Sequence, residues 1–295
     1  MSAADRARRV GQPRVGVVGH VEWLDFALVE RMPLAGEIAT ASGHFELAAG
    51  GGAVAAVQLR KLAGAALFLT ALGDDERARG AAEELRDVHR VELYAAVRER
   101  AQRRAFTHLD SAGERTITVL GERLVPHGED PLPWERLAAL DAIYLTGGDG
   151  GAARAARAAR VLVATARAAD ALLAAGVAPD VLVASGRDEK ERSGLEALPP
   201  PRLATVLTDG ARGGRWEGAG GAGGSWPVAL PPGPPVDAYG CGDSFAAGLT
   251  YGLGAGMELP AALALAARCG AHCLTGRGPY AAQLSNPDPN STEYQ

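Results

Sequence analysis

The stretch VDAYGCGDSFAAG at residues 236–248 is the strongest indication of fold in this sequence. A proline-rich run at residues 231–235 ends just before it, and a segment of small residues compatible with a helix follows it. Gly240 and Gly242 let the backbone adopt conformations closed to other residues, and they leave room for a ligand to come close. The helix that opens behind them offers unpaired N–H groups and a positive dipole end, which together favour an anion such as a phosphate.

Asp243 stands in the first turn of this predicted helix. A carboxylate beside an anion site is electrostatically unfavourable, so we expect it to serve the chemistry by taking a proton from an attacking hydroxyl. The alternative is that the glycine-rich loop only caps a buried helix, with Asp243 as part of the cap.

Three other motifs fit this sequence less well. Phe245 and Ala246 replace the two glycines that would complete a serine-protease Gly-Asp-Ser-Gly-Gly motif. A phosphate-binding loop needs Gly-Lys followed by Ser or Thr, and neither Lys61 nor Lys190 meets that pattern. No G-x-G-x-x-G follows a predicted strand, so a dinucleotide-binding loop is not indicated either.

The stretch resembles the signature of the ribokinase (PfkB-type) family of carbohydrate kinases, which reads roughly D-T-x-G-A-G-D before a helix of small residues. The resemblance implies that Asp243 is the catalytic base and that the amides of Gly240, Cys241 and Gly242 form an anion hole. The sequence departs from the signature at Ala238, where Thr is usual, and at Cys241, where Ala is usual. Because a helix N-terminus lowers the pKa of a thiol, we expect Cys241 to be reactive.

The chain around the signature indicates an α/β fold. Apolar runs at residues 14–21 and 65–71, and later at residues 142–146, 161–165, 181–184 and 204–208, alternate with helical segments, which is typical of parallel strands joined by crossover helices. The resemblance implies a ribokinase-like three-layer α/β/α sandwich with a mainly parallel central sheet and a small β-strand lid. We expect one kinase domain at residues 13–285, lid strands from about 34–47 and 91–125, and flexible termini at residues 1–12 and 286–295.

Several residues are candidates for binding the acceptor. Glu22 and Asp25 follow the first predicted strand, and ligands of open α/β sheets bind at the carboxyl ends of the strands. The family has a sugar-binding Asp in this region. Gly50 and Gly51 match the family's Gly-Gly pair, whose backbone lies close to the substrate, but Ala55 replaces the Asn that binds a sugar hydroxyl.

Two further segments resemble the family's nucleotide and metal landmarks. Thr208, Gly210 and Gly213 match a Thr-x-Gly-x-x-Gly strand end that contacts the nucleotide, which implies ATP. The family's Asn-x-x-Glu becomes Ser185-Gly-Arg-Asp188, which implies that Asp188, or alternatively Glu189, helps to place Mg²⁺ through water.

A monovalent cation such as K⁺ is also implied by the resemblance. Its ligands in this chain would be Asp237 and the backbone carbonyls of residues 276–279. The lid of the family often pairs two subunits, so a homodimer through the lid is expected as well.

Composition limits the classes of partner. The net charge is −5 with no basic block, which argues against nucleic acid and anionic membranes as partners. No run of 18 apolar residues and no signal-peptide core is present, and the three cysteines lack a disulfide spacing, so we expect a cytoplasmic protein with reduced thiols.

The sequence therefore predicts an ATP-dependent phosphotransferase that acts on a hydroxyl of a small sugar, nucleoside or related alcohol. A second hypothesis is a weakly active or inactive nucleotide- or metabolite-binding protein on the same fold. The altered Asn-x-x-Glu segment and Ala55 favour the second hypothesis, whereas the intact Asp243 and its glycine loop favour the kinase.

Overall fold

Thirteen strands and seven α-helices occur in residues 12–285, the part of the chain that the computed structural model describes. The strands are β1 Val15–Val18, β2 Glu22–Leu28, β3 Gly43–Ala49, β4 Leu67–Leu72, β5 Glu92–Val97, β6 Arg104–Leu109, β7 Arg115–Leu120, β8 Ala142–Leu145, β9 Val161–Thr165, β10 Val181–Ser185, β11 Ala204–Thr208, β12 Gly214–Gly218 and β13 Gly223–Trp226. The helices are α1 Gly51–Ala63, α2 Glu76–Glu83, α3 Gly150–Ala156, α4 Ala169–Ala175, α5 Glu189–Ser193, α6 Cys241–Gly254 and α7 Leu259–Cys273.

Nine strands form the central sheet, in the order β13-β12-β11-β10-β9-β8-β1-β4-β5. All neighbouring pairs from β11 to β5 are parallel, whereas β12 runs antiparallel to both of its neighbours, β11 and β13, at one edge. Strands such as β4 and β8 are buried at every position, as expected of parallel strands with both faces covered.

Alternate residues of these strands supply two separate apolar cores. Val17 and Phe68 point to the face covered by α1, α6 and α7, whereas Leu69 and Ile143 point to the face covered by α3 and α4. The period of two in a β-strand therefore separates helix, sheet and helix into three layers, which is the predicted ribokinase-like architecture.

The lid is a second sheet of four strands, in the order β3-β2-β6-β7. Strands β2 and β6 pair in parallel, and β3 and β7 are antiparallel edges. The predicted hairpin turn between β6 and β7 is present, because Gly113 has a φ of +79° and the Asp110 amide donates to the Glu114 carbonyl at 3.0 Å.

Three strands differ from the sequence prediction. The lid strand expected at about residues 34–47 is β3, which begins only at Gly43 and ends at Ala49. The apolar run at residues 14–21 ends as a strand at Val18, and the chain then enters the lid as β2, which was not predicted as a lid strand. Residues 92–97, expected in the lid, form β5 and pair with β4 at the edge of the central sheet. The predicted flexible termini lie outside the described residues, except for Gln12.

Helices α6 and α7 pack closely because small residues face each other between them. A Cβ atom on Gly248 would lie 2.7 Å from the Cys269 sulfur, and one on Gly252 would lie 2.9 Å from the Ala262 Cβ. Across residues 12–285, no helix combines the length and the apolar character that crossing a bilayer requires.

Candidate active site

The loop before α6 depends on Gly240. Its φ is +82°, in the left-handed region that favours glycine, and a Cβ atom there would lie 2.7 Å from the Pro279 Cβ and 3.0 Å from the Val54 Cγ1. Gly240 therefore allows the loop to pass between α1 and the C-terminal segment before the helix begins.

The start of α6 leaves two backbone donors open. The Cys241 amide donates to the Ala238 carbonyl at 3.4 Å, whereas the amides of Gly242 and Asp243 have no backbone acceptor anywhere in residues 12–285. A Cβ atom on Gly242 would meet nothing within 4 Å, so the space in front of these donors is open. Open amides at a positive helix end can bind an anionic group.

Asp243 is half-buried at this helix end and reaches the start of α1. A Cβ atom on Gly51 would lie 2.9 Å from the Asp243 Oδ1. Burial raises the pKa of Asp243, and four neighbouring charges act on it as well. Two guanidinium groups lower the pKa and two carboxylates raise it, those of Arg167, Arg123, Glu22 and Glu191. A carboxyl with a raised pKa accepts a proton more readily near neutral pH.

His20 lies beside the carboxylate, at the carboxyl end of β1. Its Nδ1 is 2.8 Å from the Arg123 Nη2 and 3.2 Å from the Thr146 Oγ1. Burial, assisted by nearby arginines, lowers the pKa of His20 well below its usual value, so the ring is neutral. Because a guanidinium only donates, Nδ1 is the acceptor and the proton sits on Nε2, which is 3.7 Å from the Glu22 Oε1.

Glu22 belongs to this cluster, but Asp25 does not. The Glu22 Oε1 is 2.7 Å from the Arg103 Nε, and burial raises the pKa of Glu22. A Cβ atom on Gly50 would lie 2.9 Å from the Glu22 backbone nitrogen, which brings Gly50 beside it. Asp25 is buried elsewhere in the lid, where the Arg104 Nη2 donates to its Oδ2 at 2.9 Å.

The predicted nucleotide strand end borders a cavity of about 710 Å³. Thr208 lines it together with Arg187, Arg212 and Arg215. Bonds from Arg212 and Arg187 lower the pKa of Asp209 to about 2, so this carboxylate is ionised and holds both guanidinium groups at the cavity.

Gly210 and Gly213 shape the turn at this cavity. Both have a positive φ, and a Cβ atom on Gly213 would lie 2.2 Å from the Trp226 carbonyl oxygen. Any other residue at position 213 would collide with Trp226. Gly213 therefore has a conformational role at the start of β12.

Hydrogen bonds hold the segment at residues 185–191, which replaces the family's Asn-x-x-Glu. Asp188 caps α5, because its Oδ1 accepts from the amides of Lys190 and Glu191. Both carboxylate oxygens of Glu191 have a partner. Its Oε1 is 2.5 Å from the Arg167 Nε, and its Oε2 accepts from the Ser185 amide at 2.8 Å.

Asp237 joins the signature loop to the C-terminal segment. Its Oδ1 accepts from the Tyr239 amide at 2.8 Å, and its Oδ2 accepts from the Gly278 amide at 3.0 Å. It is almost fully buried, so these two bonds replace water around the carboxylate.

The lowering of the Cys241 pKa that the sequence predicted is wrong. A hydrogen bond with the Cys273 sulfur, together with burial, raises the pKa of the Cys241 thiol instead of lowering it. Burial among neighbouring groups outweighs the helix dipole, and the thiol is protonated at neutral pH.

Sequence reasoning missed five polar residues that surround Asp243 and His20: Arg103, Arg123, Thr146, Arg167 and Glu191. Thr146 directly follows β8, and Arg167 lies two residues after the end of β9, so the rule that ligands bind at carboxyl strand ends could have found both. Arg123 follows a lid strand in a loop without a motif, and nothing in the local sequence distinguishes it.

The fold and this site together define a class of protein, the lidded α/β small-molecule kinases. A profile described as pfkB family carbohydrate kinase matches residues 12–205 and 186–286. The chain therefore belongs to the pfkB family of carbohydrate kinases, as its signature stretch predicted.

Solved structures with the same fold cover nearly the whole chain. Ribokinase from Arabidopsis thaliana, complexed with ribose and ATP, is 20% identical, with a TM-score of 0.73 over 92% of this chain and 96% of that one. Ribokinase from Thermotoga maritima is 16% identical, with a TM-score of 0.74 and the same two coverages. A microbiome-derived acarbose kinase is 20% identical, with a TM-score of 0.76 over 92% and 96%. A search of curated proteins found no match.

Proposed function

We propose that this carbohydrate kinase transfers the γ-phosphoryl group of ATP to a hydroxyl of a small sugar, nucleoside or related alcohol, with Asp243 as general base. The observation that carries this proposal is the position of a carboxyl with a raised pKa next to the open amides at the start of α6. The A. thaliana neighbour binds ribose and ATP, and the microbiome neighbour is named an acarbose kinase, which supports a carbohydrate acceptor.

In the proposed reaction the acceptor oxygen attacks the γ-phosphorus, the bond from that phosphorus to the ADP oxygen breaks, and the hydroxyl proton moves to Asp243. The amides of Gly240 and Gly242 stabilise the negative charge that the transferred group carries. The Cys241 amide joins this anion hole if it exchanges its 3.4 Å bond to the Ala238 carbonyl for the phosphoryl group. Thr208 and the glycines at 210 and 213 contact the nucleotide, and Glu22, Gly50 and Gly51 form the acceptor side of the site.

Two cations accompany the proposed nucleotide site. Asp188 fits a contact to Mg²⁺ through water, because its Oδ2 accepts no hydrogen bond within the described part of the chain. Magnesium would neutralise charge on the phosphates. Asp237 is the carboxylate proposed for K⁺, since each of its oxygens accepts one amide hydrogen and keeps a lone pair.

Replacing Asp243 tests the proposal. Asp243→Asn keeps the size of the side chain but removes the proton acceptor, so we expect turnover to fall about 10²- to 10⁴-fold while ATP still binds. ADP release with a panel of sugars and nucleosides measures turnover, and calorimetry measures ATP affinity.

Asp170→Asn is the matched control, because Asp170 also lies in the first turn of a helix but is exposed and outside the site. Turnover that survives Asp243→Asn would remove Asp243 from the mechanism. Wild-type protein that binds ATP but turns over no acceptor would favour the binding-protein hypothesis.

A further inference from the structure

Arg123 is a guanidinium that enters the site and forms no ion pair with any of residues 12–285, although the Glu22 carboxylate nearby raises its pKa somewhat. Its Nη2 lies 2.8 Å from the His20 Nδ1 and also donates to the Thr146 carbonyl, and its Nη1 donates to the Arg167 carbonyl at 3.2 Å. Its Nε is enclosed and has no hydrogen-bond acceptor within residues 12–285. None of these groups carries a negative charge, since His20 is neutral.

The carboxylates nearby are committed to other groups. Glu22 pairs with Arg103 at 2.7 Å, and Glu191 pairs with Arg167 at 2.5 Å. Asp243 is the proposed base. Burial lowers the pKa of Arg123, and the neighbouring charge of Arg103 adds to this effect, so the cation is held at a cost in free energy. A bound anion would remove that cost.

The position of Arg123 puts such an anion on the acceptor side. Arg123 lies over Gly147, where a Cβ atom would be 3.2 Å from its Nη2. Its partners His20 and Thr146 in turn meet the space beside Gly51 that the Asp243 carboxylate also borders. The guanidinium is thus one layer of side chains from the base, whereas Arg187 and Arg212 lie at the separate nucleotide cavity.

We propose that the acceptor of this kinase carries an oxyanion, a carboxylate or a phosphate, and that Arg123 binds it with support from Arg103. The Nη1 of Arg123 keeps one hydrogen that is not donated to Arg167, and a guanidinium cation attracts either oxyanion. This inference rests on the proposed kinase function, and it narrows the acceptor to hydroxy acids or phosphorylated alcohols.

Matched acceptors of one carbon skeleton test the inference. We expect gluconate or glucose 6-phosphate to exceed glucose in kcat/KM by about 10- to 100-fold, as a charge-assisted bond predicts, and ribonate and ribose 5-phosphate to exceed ribose likewise. Within each set, the anion with the higher kcat/KM shows whether the site binds a carboxylate or a phosphate. The proposal would be overturned if a neutral sugar had the same kcat/KM as both of its anionic counterparts.

Variants of Arg123 identify the residue responsible. Arg123→Gln should raise the KM for the anionic acceptor about 10- to 100-fold with the KM for ATP unchanged, and Arg123→Lys should recover part of the loss. Arg154→Gln, on an exposed helix position, is the control, and thermal unfolding checks that each variant is folded. An equal loss with neutral and anionic acceptors, or a raised KM for ATP, would contradict the assignment.

Binding without ATP keeps this test separate from the kinase proposal. Gluconate, ribonate, glucose 6-phosphate and ribose 5-phosphate are titrated into wild type and Arg123→Gln, with thermal unfolding as the readout. Stabilisation by an anion that Arg123→Gln abolishes supports the site even if no acceptor is phosphorylated. Stabilisation of both proteins alike, or of neither, would overturn it.

Discussion

Asp243 combines two demands that conflict. Burial raises its pKa, which suits a proton acceptor, while Arg167 and Arg123 keep the ionised form accessible by lowering the pKa again. Because folding raises the pKa of this acid, the folded state binds the proton more tightly than the unfolded state does. The free energy of unfolding therefore falls as the pH rises towards and through the folded-state pKa, so the reactive form is the less stable one.

The same balance predicts the pH dependence of turnover. Asp243 must be ionised to accept a proton, so kcat/KM should fall on the acid side with an apparent pKa above that of an ordinary Asp, about 3.9. Arg167→Gln removes the charge that lowers the pKa most, and we expect it to move this acid limb to higher pH. Profiles of kcat/KM against pH measure both effects, and an acid limb that stays in place in Arg167→Gln would contradict the electrostatic argument.

The middle and the start of helix α6 have different functions. Towards its middle, Gly248 permits close packing on Cys269 of α7, which fixes the helix against the core. At its start, the glycines serve the loop and the open amides. The helix end is thus presented to a ligand by an element that is itself held rigidly, which suits a site that must stabilise charge without rearranging.

The two glycines at the start of α6 should respond in opposite ways to alanine. Gly240→Ala forces a left-handed residue against Pro279 and should cost about 1–3 kcal/mol of unfolding free energy. Gly242→Ala meets no atom within 4 Å, and Ala favours a helix over Gly by about 1 kcal/mol, so stability should hold or rise.

The activities separate the two variants further. The methyl group of Gly242→Ala enters the space in front of the open amides, so we expect turnover to fall although the fold is intact. Denaturant unfolding and ADP release, run on both variants, measure the two quantities. Full activity in Gly242→Ala would show that this space does not receive the transferred group.

Aromatic rings connect the lid to the signature loop before α6. Phe26 of β2 stacks on Phe45 of β3 at 4.5 Å between centroids, and it meets Tyr239 edge-on at 5.7 Å. Tyr239 directly precedes Gly240, so a movement of the lid would shift the loop through this contact. From the C-terminal segment, the Tyr280 hydroxyl donates to the Ala48 carbonyl of β3 at 2.6 Å.

Local sequence patterns predicted the strands of the central sheet but not the contacts between segments that are distant in the sequence. Residues 161–165 and 204–208 form strands with the predicted bounds, because a short buried apolar run carries its own signal. Arg123 meets His20 across 103 positions of sequence, and no local pattern reports such a contact. The signature loop was recognisable because its residues are consecutive, whereas the proposed acceptor side is assembled from segments that lie far apart in the chain, such as those of Glu22, Gly50 and Arg123.

The lid also bears on association between copies of the chain. Strand β7 is an edge of the lid sheet, and all six of its residues are exposed. Ile117, Val119 and Leu120 are 39%, 45% and 44% exposed, an apolar group on an edge that offers unpaired backbone groups. These features favour the homodimer through the lid that the family resemblance implies.

We therefore expect the protein to be a dimer, and we expect charged substitutions on β7 to dissociate it. The double variant Ile117→Glu, Val119→Glu places two carboxylates per chain in the proposed interface, where burial without a partner is unfavourable. Sedimentation at micromolar concentration should give a dimer for wild type and a monomer for this variant. Leu230→Glu is the control, because Leu230 is an apolar residue 88% exposed outside the lid sheet. A monomeric wild type, or equal dissociation by Leu230→Glu, would rule out association through β7.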